Sequence, residues 1–480
     1  MPATPTIAQT LAGFVHDLDT AQIPPEVSTR AAHLLLDSIG CALAARGEAF
    51  ATTLATGVAA LGGTSEGGRS GVIGFSDRLP LRDAMLLNGM LAHGLDFDDT
   101  HTAGIVHLTV SLLPTLLGLC GQRRVGGAAM LTAYIAAVEA GARLATAAQG
   151  GFHAQGFHPT GVIGAFASAL AAGRVMGLAP EALAHAQGVA LSMASGSLQF
   201  LEDGAWTKRM HPGWAAQAGF TAATLAAAGM PAPLAAYEGR YGLFKLMLGD
   251  GAGSTASNGS DLSLATADLD ADGHCSTWQL PNIAVKPFAI CHLSHAVADA
   301  AIALHRGGLD PARIQRISAI VPAGIVPVVC EPLAAKRRPQ GDYDAKFSLP
   351  YAIASGLLRG RLGLQDLTPA AYTDPKALAL MDRVDYAIDP DSTFPRHYTG
   401  ELRVTLDDGS VLTHREAINR GHAERPLTNA DVVDKFFENA TLHFPRAHAQ
   451  AVCELVLGLD RLASVAPLED LLAQGPQAFF

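Results

Sequence analysis

Four long segments in the first half of the chain carry alanine, leucine, methionine and other small or apolar residues on every side of a helix. They span residues 128–147, 161–176, 180–194 and 214–228. A helix that is apolar all round is buried on more than one side. The pattern therefore predicts helices packed closely on other helices. No fixed-period repeat of helix pairs accompanies it, which argues against a solenoid.

The composition indicates a large buried core and an acidic surface. Hydrophobic residues make up 49% of the 480 residues and charged residues only 16%, with a net charge of −11. This length is enough for two or three domains, or for one large domain with a smaller companion. An acidic chain without a Lys/Arg block is a poor candidate for nucleic-acid binding. An acidic small substrate remains compatible, because a few cations inside a cleft outweigh distant surface charge.

Cysteine usage and hydropathy predict a soluble cytoplasmic protein without membrane contact. The six cysteines are scattered without a CxxC pair, so we expect reduced thiols rather than disulfides or a zinc site. Residues 1–20 lack a basic segment followed by an apolar core, so no signal peptide is predicted. The longest apolar run, residues 161–173, is shorter than the roughly 18 residues that a membrane span needs.

The pattern of the chain changes after a Gly/Ser/Asp-rich stretch at 251–273. Alternating strand-like segments follow, and Asp408-Gly409 between two of them is a strong hairpin signal. Helical periodicity returns at residue 429. We therefore predict a mainly α fold, with a large all-α domain formed by residues 1–283 and 418–480. A smaller α+β domain is inserted at 284–417, and a cleft between two such domains is the usual place for a small-molecule site.

Two polar motifs lie in the predicted helical domain. The first, residues 92–101 followed by His107, places three carboxylates in four residues beside histidines. Such a group could bind a metal cation, or its Asp side chains could cap the backbone of a turn. No further ligand follows at the spacing of a metal site, so we predict no metal here and favour contacts between some of these side chains and the substrate. The second, residues 156–161, puts His158 at the start of a helix. The dipole there disfavours imidazolium, which suits a neutral general base, although a histidine held in a turn is the alternative.

Two further motifs carry cations. Lys208, Arg209 and His211 lie between Trp206 and Trp214, and either an anion site or a solvated basic face would explain them. Residues 286–295 lie at the predicted domain junction. Lys286 in this segment could pair with a substrate carboxylate, or it could be an ordinary surface lysine.

Two motifs that look functional do not fit their templates. Residues 268–273 match the opening of an EF-hand loop, but its twelfth position is Gln279 rather than Glu. The glycine-rich stretch at 62–74 lacks both GxGxxG after a strand and a Walker lysine. Neither calcium nor phosphate binding is predicted there.

The polar motifs together resemble the MmgE/PrpD family, which includes 2-methylcitrate dehydratases, cis-aconitate decarboxylases and iminodisuccinate epimerase. Matching pieces occur in family order along nearly the whole chain, at residues 88–101, 156–161, 206–208, 286–288 and 347–351. The resemblance implies a helical domain with an α+β lid, a homodimer, and an active site at the domain junction. It also implies that no organic cofactor is required.

Carried over position by position, the resemblance implies site residues Asp96, Thr100, His107, His158, Lys208 and Lys286. We add His211 and His292 from the motifs as substrate contacts. Two departures stand out. A Leu-Thr pair follows His107, where the family often has Pro-Ser or Pro-Gly, and Cys291 stands where the decarboxylases have a histidine, with His292 one place later. Decarboxylation of cis-aconitate is therefore not favoured.

These residue types fit proton abstraction next to a carboxylate. The two lysines would hold substrate carboxylates and the developing enolate charge, while His107 and His158 would act as general base and acid in an order that the sequence leaves open. Thr100 would donate a hydrogen bond, and Asp96 would orient a neighbour. The hypothesis is a lyase of the dehydratase type acting on a small hydroxylated di- or tricarboxylate such as 2-methylcitrate. An epimerase of an iminodicarboxylate and a silent binding protein for acidic metabolites are the alternatives.

Overall fold

In the computed structural model, the chain forms two compact units. The structure describes residues 4–62, 68–249, 259–394 and 396–475. The first unit, here called the helical unit, comprises Met1–Ile283 and Thr428–Phe480, and the second comprises Ala284–Leu427. Each is built around its own buried apolar residues.

Helices are the main elements of the helical unit, so the prediction of a mainly α protein is confirmed, although the domain predicted to be all-α also contains the short strands Ser70–Gly71, Arg78–Leu79 and Thr100–His101. Where helices begin, capping is local: Thr6 forms a capping box with Gln9, and Thr428 forms one with Asp431. The longer helices span Ile7–Asp17, Pro25–Ala45, Ala49–Gly62, Leu81–His93, Thr109–Arg123, Gly127–Ala147, Pro159–Val175, Pro180–Ala190, Thr207–Ala227, Asn429–Ala440 and Arg446–Leu457; Gly151–Ala154, Phe200–Asp203, Leu243–Leu248 and Ala466–Leu472 are shorter.

One described helix, Gly127–Ala147, is long and apolar enough to cross a membrane by length and composition alone. In its most apolar window 89% of the residues are buried inside the protein. Burial on all sides is typical of a core helix, and this is the arrangement that its alanine-rich sequence predicts.

Glycines bring three helices of this unit into close contact. The helix Thr207–Ala227 packs on Pro159–Val175 and on Leu81–His93. Where it crosses Leu81–His93, a Cβ on Gly89 would meet the backbone of Gly213. Such backbone-to-backbone packing needs glycine at both positions. It fixes the ends of these helices, which carry the polar motifs, relative to one another.

We expect Gly213→Ala to destabilise the helical unit by about 3 kcal/mol, because the added methyl group would overlap the carbonyl oxygen of Leu86. Gly57→Ala is the matched control, since Gly57 is exposed in the helix Ala49–Gly62 with open space around it. Because alanine has a greater helix propensity than glycine, Gly57→Ala should raise the free energy of unfolding by about 0.5–1 kcal/mol. Urea unfolding of both variants measures the difference, and equal stabilities would contradict the close-packing argument.

The helix predicted to begin near residue 214 begins earlier, at Thr207. The helix runs through Pro212 and Gly213, and both residues are buried in its interior. The tight crossing at Gly89 explains why the helix continues through them, because packing offsets their poor helix propensity. Lys208 and His211 therefore lie on the first turns of a helix. Of the predicted loop at 251–273, residues 251–258 lie outside the described residues.

The second unit contains a four-stranded sheet with helices around it. Ile314–Val321 pairs in parallel with Val384–Ile388 on one side and antiparallel with Gly400–Leu406 on the other, and Val411–Glu416 completes the sheet. The predicted Asp408-Gly409 hairpin joins the last two strands, with Gly409 at a φ of +81°. Its helices span His295–Arg306, Leu333–Lys336, Asp342–Lys346, Leu349–Arg359, Pro369–Tyr372 and Pro375–Met381.

Candidate active site

Four buried imidazoles form a cluster in the helical unit. His93 ends the helix Leu81–His93, His158 is the N-cap of Pro159–Val175, His211 lies on Thr207–Ala227, and His107 lies just before Thr109–Arg123. Ring centroids are 4.9 Å apart for His93 and His107, 5.6 Å for His93 and His158, and 6.2 Å for His107 and His158. The predicted position of His158 at a helix start is confirmed.

The hydrogen bonds of His107 define which of its nitrogens can act as a base. Its Nδ1 lies 2.6 Å from the backbone carbonyl oxygen of Asp99 and 3.2 Å from Oγ1 of Thr100. A carbonyl oxygen only accepts, so Nδ1 carries the proton and Nε2 carries the lone pair. The backbone amide of His107 also donates to Thr160, which fixes the chain at this point. The tautomer of neutral His107 is thus fixed, with Nε2 available for a proton.

A single hydrogen bond joins His158 and His211. Their Nδ1 atoms are 2.9 Å apart, a distance at which one must donate and the other accept. Burial, followed by the charge of Lys208, lowers the pKa of His158 well below its ordinary range. Burial lowers the pKa of His211 to about 4, with His93 and Lys208 adding to the effect. Both rings are therefore neutral at physiological pH.

Lys208 forms an ion pair inside the site. Its Nζ lies 2.8 Å from Oδ1 of Asp96, and each side chain is about one-fifth exposed. Asp96 has a left-handed backbone, with φ of +54°, which is uncommon for a non-glycine residue and marks a conformation imposed by its surroundings. The neighbouring Arg209 has a structural contact instead: its Nε donates to the carbonyl of Gly94. Lys208 thus pairs with a carboxylate of the first motif.

A buried carboxylate lies between two of the imidazoles. Both oxygens of Asp98 are 3.0 Å from Nδ1 of His93, and Oδ2 is also 3.0 Å from Nδ1 of His107. Sequence reasoning singled out neither His93 nor Asp98 as a site residue. Both belong to the first motif, but only the fold shows which of its carboxylates points at the histidines and which pairs with Lys208.

Two groups among the described residues bring histidines and a carboxylate close enough for a cation: His93, Asp98 and His107, and in the second unit His397, His422 and Glu424. In the first group, the facing atoms are at hydrogen-bond distances. In the second, Nε2 of His397 is 3.0 Å from a Glu424 oxygen, and the backbone amide of Glu424 donates to Nδ1 of His422. The absence of a metal from these groups stays a prediction.

Buried neutral histidines make the stability of the helical unit depend on pH. Burial lowers the pKa of both His101 and His211 to about 4, against about 6.5 in an unfolded chain. Between those values the unfolded state binds more protons, so the free energy of unfolding should fall as the pH drops from 6.5 to about 4. Each histidine should contribute about 1.4 kcal/mol per pH unit.

Urea unfolding at several pH values, followed by tryptophan fluorescence, measures this slope. All three tryptophans, Trp206, Trp214 and Trp278, belong to the helical unit, so the signal reports on that unit alone. His101→Gln should reduce the slope by one histidine's share. A slope that is unchanged in this variant would contradict the assignment of His101 as a buried neutral group.

The remaining predicted site residues lie in the second unit. Lys286 is 3% exposed. Burial, followed by Cys291, raises the pKa of Tyr398, and the charge of Lys286 offsets part of this rise. Nδ2 of Asn419 donates to Nε2 of His292, 2.8 Å away, and the His292 ring lies 5.2 Å from that of Tyr398. The structure thus groups Asp96, Thr100, His107, His158, Lys208 and His211 within the helical unit, while Lys286 and His292 form a second group.

Comparisons with known proteins cover nearly the whole chain. The MmgE/PrpD N-terminal domain matches residues 9–254, and the MmgE/PrpD C-terminal domain matches residues 288–460. The chain is 28% identical to the cis-aconitate decarboxylase of Mus musculus, covering 98% of this chain and 94% of that protein. The Homo sapiens cis-aconitate decarboxylase is 29% identical, with 98% and 95% covered. A cis-aconitate decarboxylase-like protein, oryM, of Aspergillus oryzae is 27% identical, with 96% of each chain covered.

Proposed function

Because the chain belongs to the MmgE/PrpD family, we propose that it is a lyase that moves a proton at a carbon next to a carboxylate of a small di- or tricarboxylate. The leading candidate reaction is dehydration of a hydroxylated acid such as 2-methylcitrate, without an organic cofactor. The observation that carries the proposal is the fixed tautomer of His107. Its Nε2 has a lone pair that can accept a proton, and the same site contains the ion pair of Lys208 and Asp96.

In the proposed reaction, Nε2 of His107 takes the proton from carbon, and the C–H electron pair moves toward the adjacent carboxylate. Lys208 stabilises the negative charge that develops there, a contribution of several kcal/mol in a water-poor site. His158 is the proposed acid: with its Nδ1 accepting from His211, its Nε2–H passes a proton to the departing hydroxyl group, and the imidazolate left behind regains a proton when His107 gives up the one that it took from carbon. The C–O bond breaks, water leaves and an alkene remains.

Decarboxylation is the second candidate, because the relatives named above are cis-aconitate decarboxylases or similar to one. In that reaction, CO₂ would leave with its bonding electrons staying on the substrate, and an imidazolium would return a proton to carbon. Cys291 at the position of the decarboxylase histidine speaks against it. An iminodicarboxylate epimerase would use the same acid and base without elimination.

The contribution of the second unit is a further part of the proposal. We propose that it acts as a lid and supplies Lys286 and His292 as contacts for a substrate carboxylate. Support comes from the resemblance, which includes Lys286 among the site residues, and from its near-complete burial next to Tyr398. Lys286→Ala should raise KM at least tenfold, and an unchanged KM would remove this lysine from the site. A homodimer, to be tested by analytical ultracentrifugation, and a cytoplasmic location stay predictions.

Incubation of the wild-type protein in deuterated buffer, followed by proton NMR, tests the reaction class. The acids to screen are citrate-like, malate-like, cis-aconitate and imino acids. Alkene formation with loss of a hydroxyl group supports the dehydratase. Release of CO₂ from cis-aconitate would support the decarboxylase instead. Deuterium exchange without elimination or CO₂ release would contradict any lyase and favour the epimerase, and calorimetric binding without turnover of any acid would favour a silent binding protein.

A further inference from the structure

The carboxylate of Asp98 is fully buried and is contacted by two imidazoles. Its side chain is 0% exposed, as is that of His93. Nδ1 of His93 lies 3.0 Å from both oxygens, so this ring faces the whole carboxylate edge. Oδ2 is also 3.0 Å from Nδ1 of His107. An unpaired carboxylate in such a place would be costly, so these two contacts decide whether it can stay ionised.

The contacts favour an ionised Asp98 with protons on both facing nitrogens. Burial alone would raise the pKa of Asp98, but the imidazoles of His93 and His107 lower it well below its ordinary range. An ionised carboxylate only accepts hydrogen bonds. The Nδ1 atoms of both rings must then be donors, which agrees with the carbonyl of Asp99 facing Nδ1 of His107.

The two histidines have different environments. Nδ1 of His107 has two further oxygens in reach, from Asp99 and Thr100, so its tautomer is fixed even without Asp98. Within the described part of the chain, Nδ1 of His93 hydrogen bonds to Asp98 alone, and Nε2 of His93 has no hydrogen-bond partner. The contact from Nδ1 of His93 therefore restricts the orientation of the Asp98 carboxylate, and this is the role that the structure suggests for His93.

We propose that Asp98 is a positioning residue for the base His107 and that His93 anchors Asp98. By hydrogen bonding to both oxygens, His93 keeps the carboxylate turned so that Oδ2 faces Nδ1 of His107. There the carboxylate stabilises the imidazolium that forms when Nε2 of His107 takes a proton from carbon. This inference rests on the proposed function of His107. It gives Asp98 and His93 a role in catalysis that depends on the hydrogen bonds from Nδ1 of His93 to Asp98.

Two substitutions of His93 separate its two nitrogens. The side-chain amide of asparagine places an N–H donor near the position of Nδ1, so His93→Asn keeps the hydrogen bond to Asp98 and removes Nε2. Glutamine reaches the position of Nε2 instead, so His93→Gln lacks the donor for Asp98. We expect kcat of His93→Asn within about fivefold of the wild type. We expect His93→Gln to lose about 10²-fold in kcat with KM changed less than threefold, because only the imidazolium-forming step is affected.

Every outcome of this pair is decisive. Loss in His93→Asn with retention in His93→Gln would show that Nε2 is the functional atom and would overturn the anchor role. Retention in both variants would show that His93 has no role in turnover. Equal loss in both would show that the site needs the ring itself rather than its Nδ1 donor, and it would also overturn the proposal.

A measurement without substrate keeps this inference separate from the proposed function. Long-range ¹H–¹⁵N NMR of the ligand-free protein, with assignments from the His93→Asn and His107→Gln variants, identifies the protonated nitrogen of each ring. We expect Nδ1–H for both histidines in the wild type, and loss of that preference for His93 alone in Asp98→Asn. An Nε2–H tautomer at either ring of the wild type would overturn the positioning role, whatever reaction the enzyme catalyses.

Discussion

Replacing Lys208 with alanine should lower kcat/KM by about 10²–10³-fold while the helical unit stays folded. Lys208 is the cation of the imidazole cluster, and its Nζ is 2.8 Å from the Asp96 carboxylate. With a substrate carboxylate present, the ammonium group can stabilise the charge that moves onto it as the C–H bond breaks. Alanine removes this stabilisation together with the positive charge that offsets the Asp96 carboxylate, so an anionic substrate would meet a more negative site.

The stability of the same variant should change little, because partly exposed ion pairs contribute roughly 0–1 kcal/mol. Lys208→Arg keeps the charge but not the compact geometry of an ammonium group, so only part of the activity should return. Lys245→Ala is the matched control: it removes an exposed lysine from the same unit and should leave the kinetics unchanged. Wild-type kinetics in Lys208→Ala with an unchanged fold would contradict the assignment.

A second readout of Lys208→Ala does not require a substrate. The charge of Lys208 contributes to the lowered pKa values of His158 and His211, after the larger effect of burial. In the alanine variant the pKa of His211 should therefore rise above about 4, which NMR titration of the ring protons would detect. An unchanged titration would mean that the ammonium group lies too far away to act on the imidazole cluster.

The sequence predicted the helices and strands where burial leaves a clear periodic signal. Apolar residues on all faces indicated Gly127–Ala147 as a core helix, and the Asp-Gly pair indicated the hairpin before Val411–Glu416. It did not predict that a helix continues through Pro212 and Gly213. Local propensity argues against that continuation, and it is explained by contact with Gly89, a residue more than 120 positions earlier in the sequence.

The residue types at the candidate site were visible in the sequence, but their pairing was not. Lys208 was expected to face a substrate carboxylate, and in the structure its partner is Asp96. Asp96 and Asp98 are two positions apart and could not be told apart by spacing. Their difference arises from the left-handed backbone of Asp96 and from the burial of Asp98 against His93. These are long-range consequences of packing that a local pattern does not carry.

His107→Gln should abolish proton abstraction, lowering kcat/KM by about 10²–10⁴-fold. Glutamine can fill much of the space and reaches the position of Nε2, but its amide is not a base. If His107 removes the proton from carbon, this variant should lose both product formation and the exchange of that proton with deuterated solvent. His16→Gln is the control, because His16 is an exposed residue of the same unit and should leave both rates unchanged.

His158→Gln supplies the comparison that assigns base and acid. Because His158 is the proposed acid, its loss should block protonation of the departing hydroxyl group but leave Nε2 of His107 free to remove the proton. Product formation should then fall by about 10²–10⁴-fold, while exchange at carbon continues. Loss of exchange in His158→Gln with exchange retained in His107→Gln would reverse the two roles. The hydrogen bond from Nδ1 of His107 to the Asp99 carbonyl fixes the tautomer of His107. If the roles were reversed, this hydrogen bond would stabilise the fold but would not prepare His107 to act as the base.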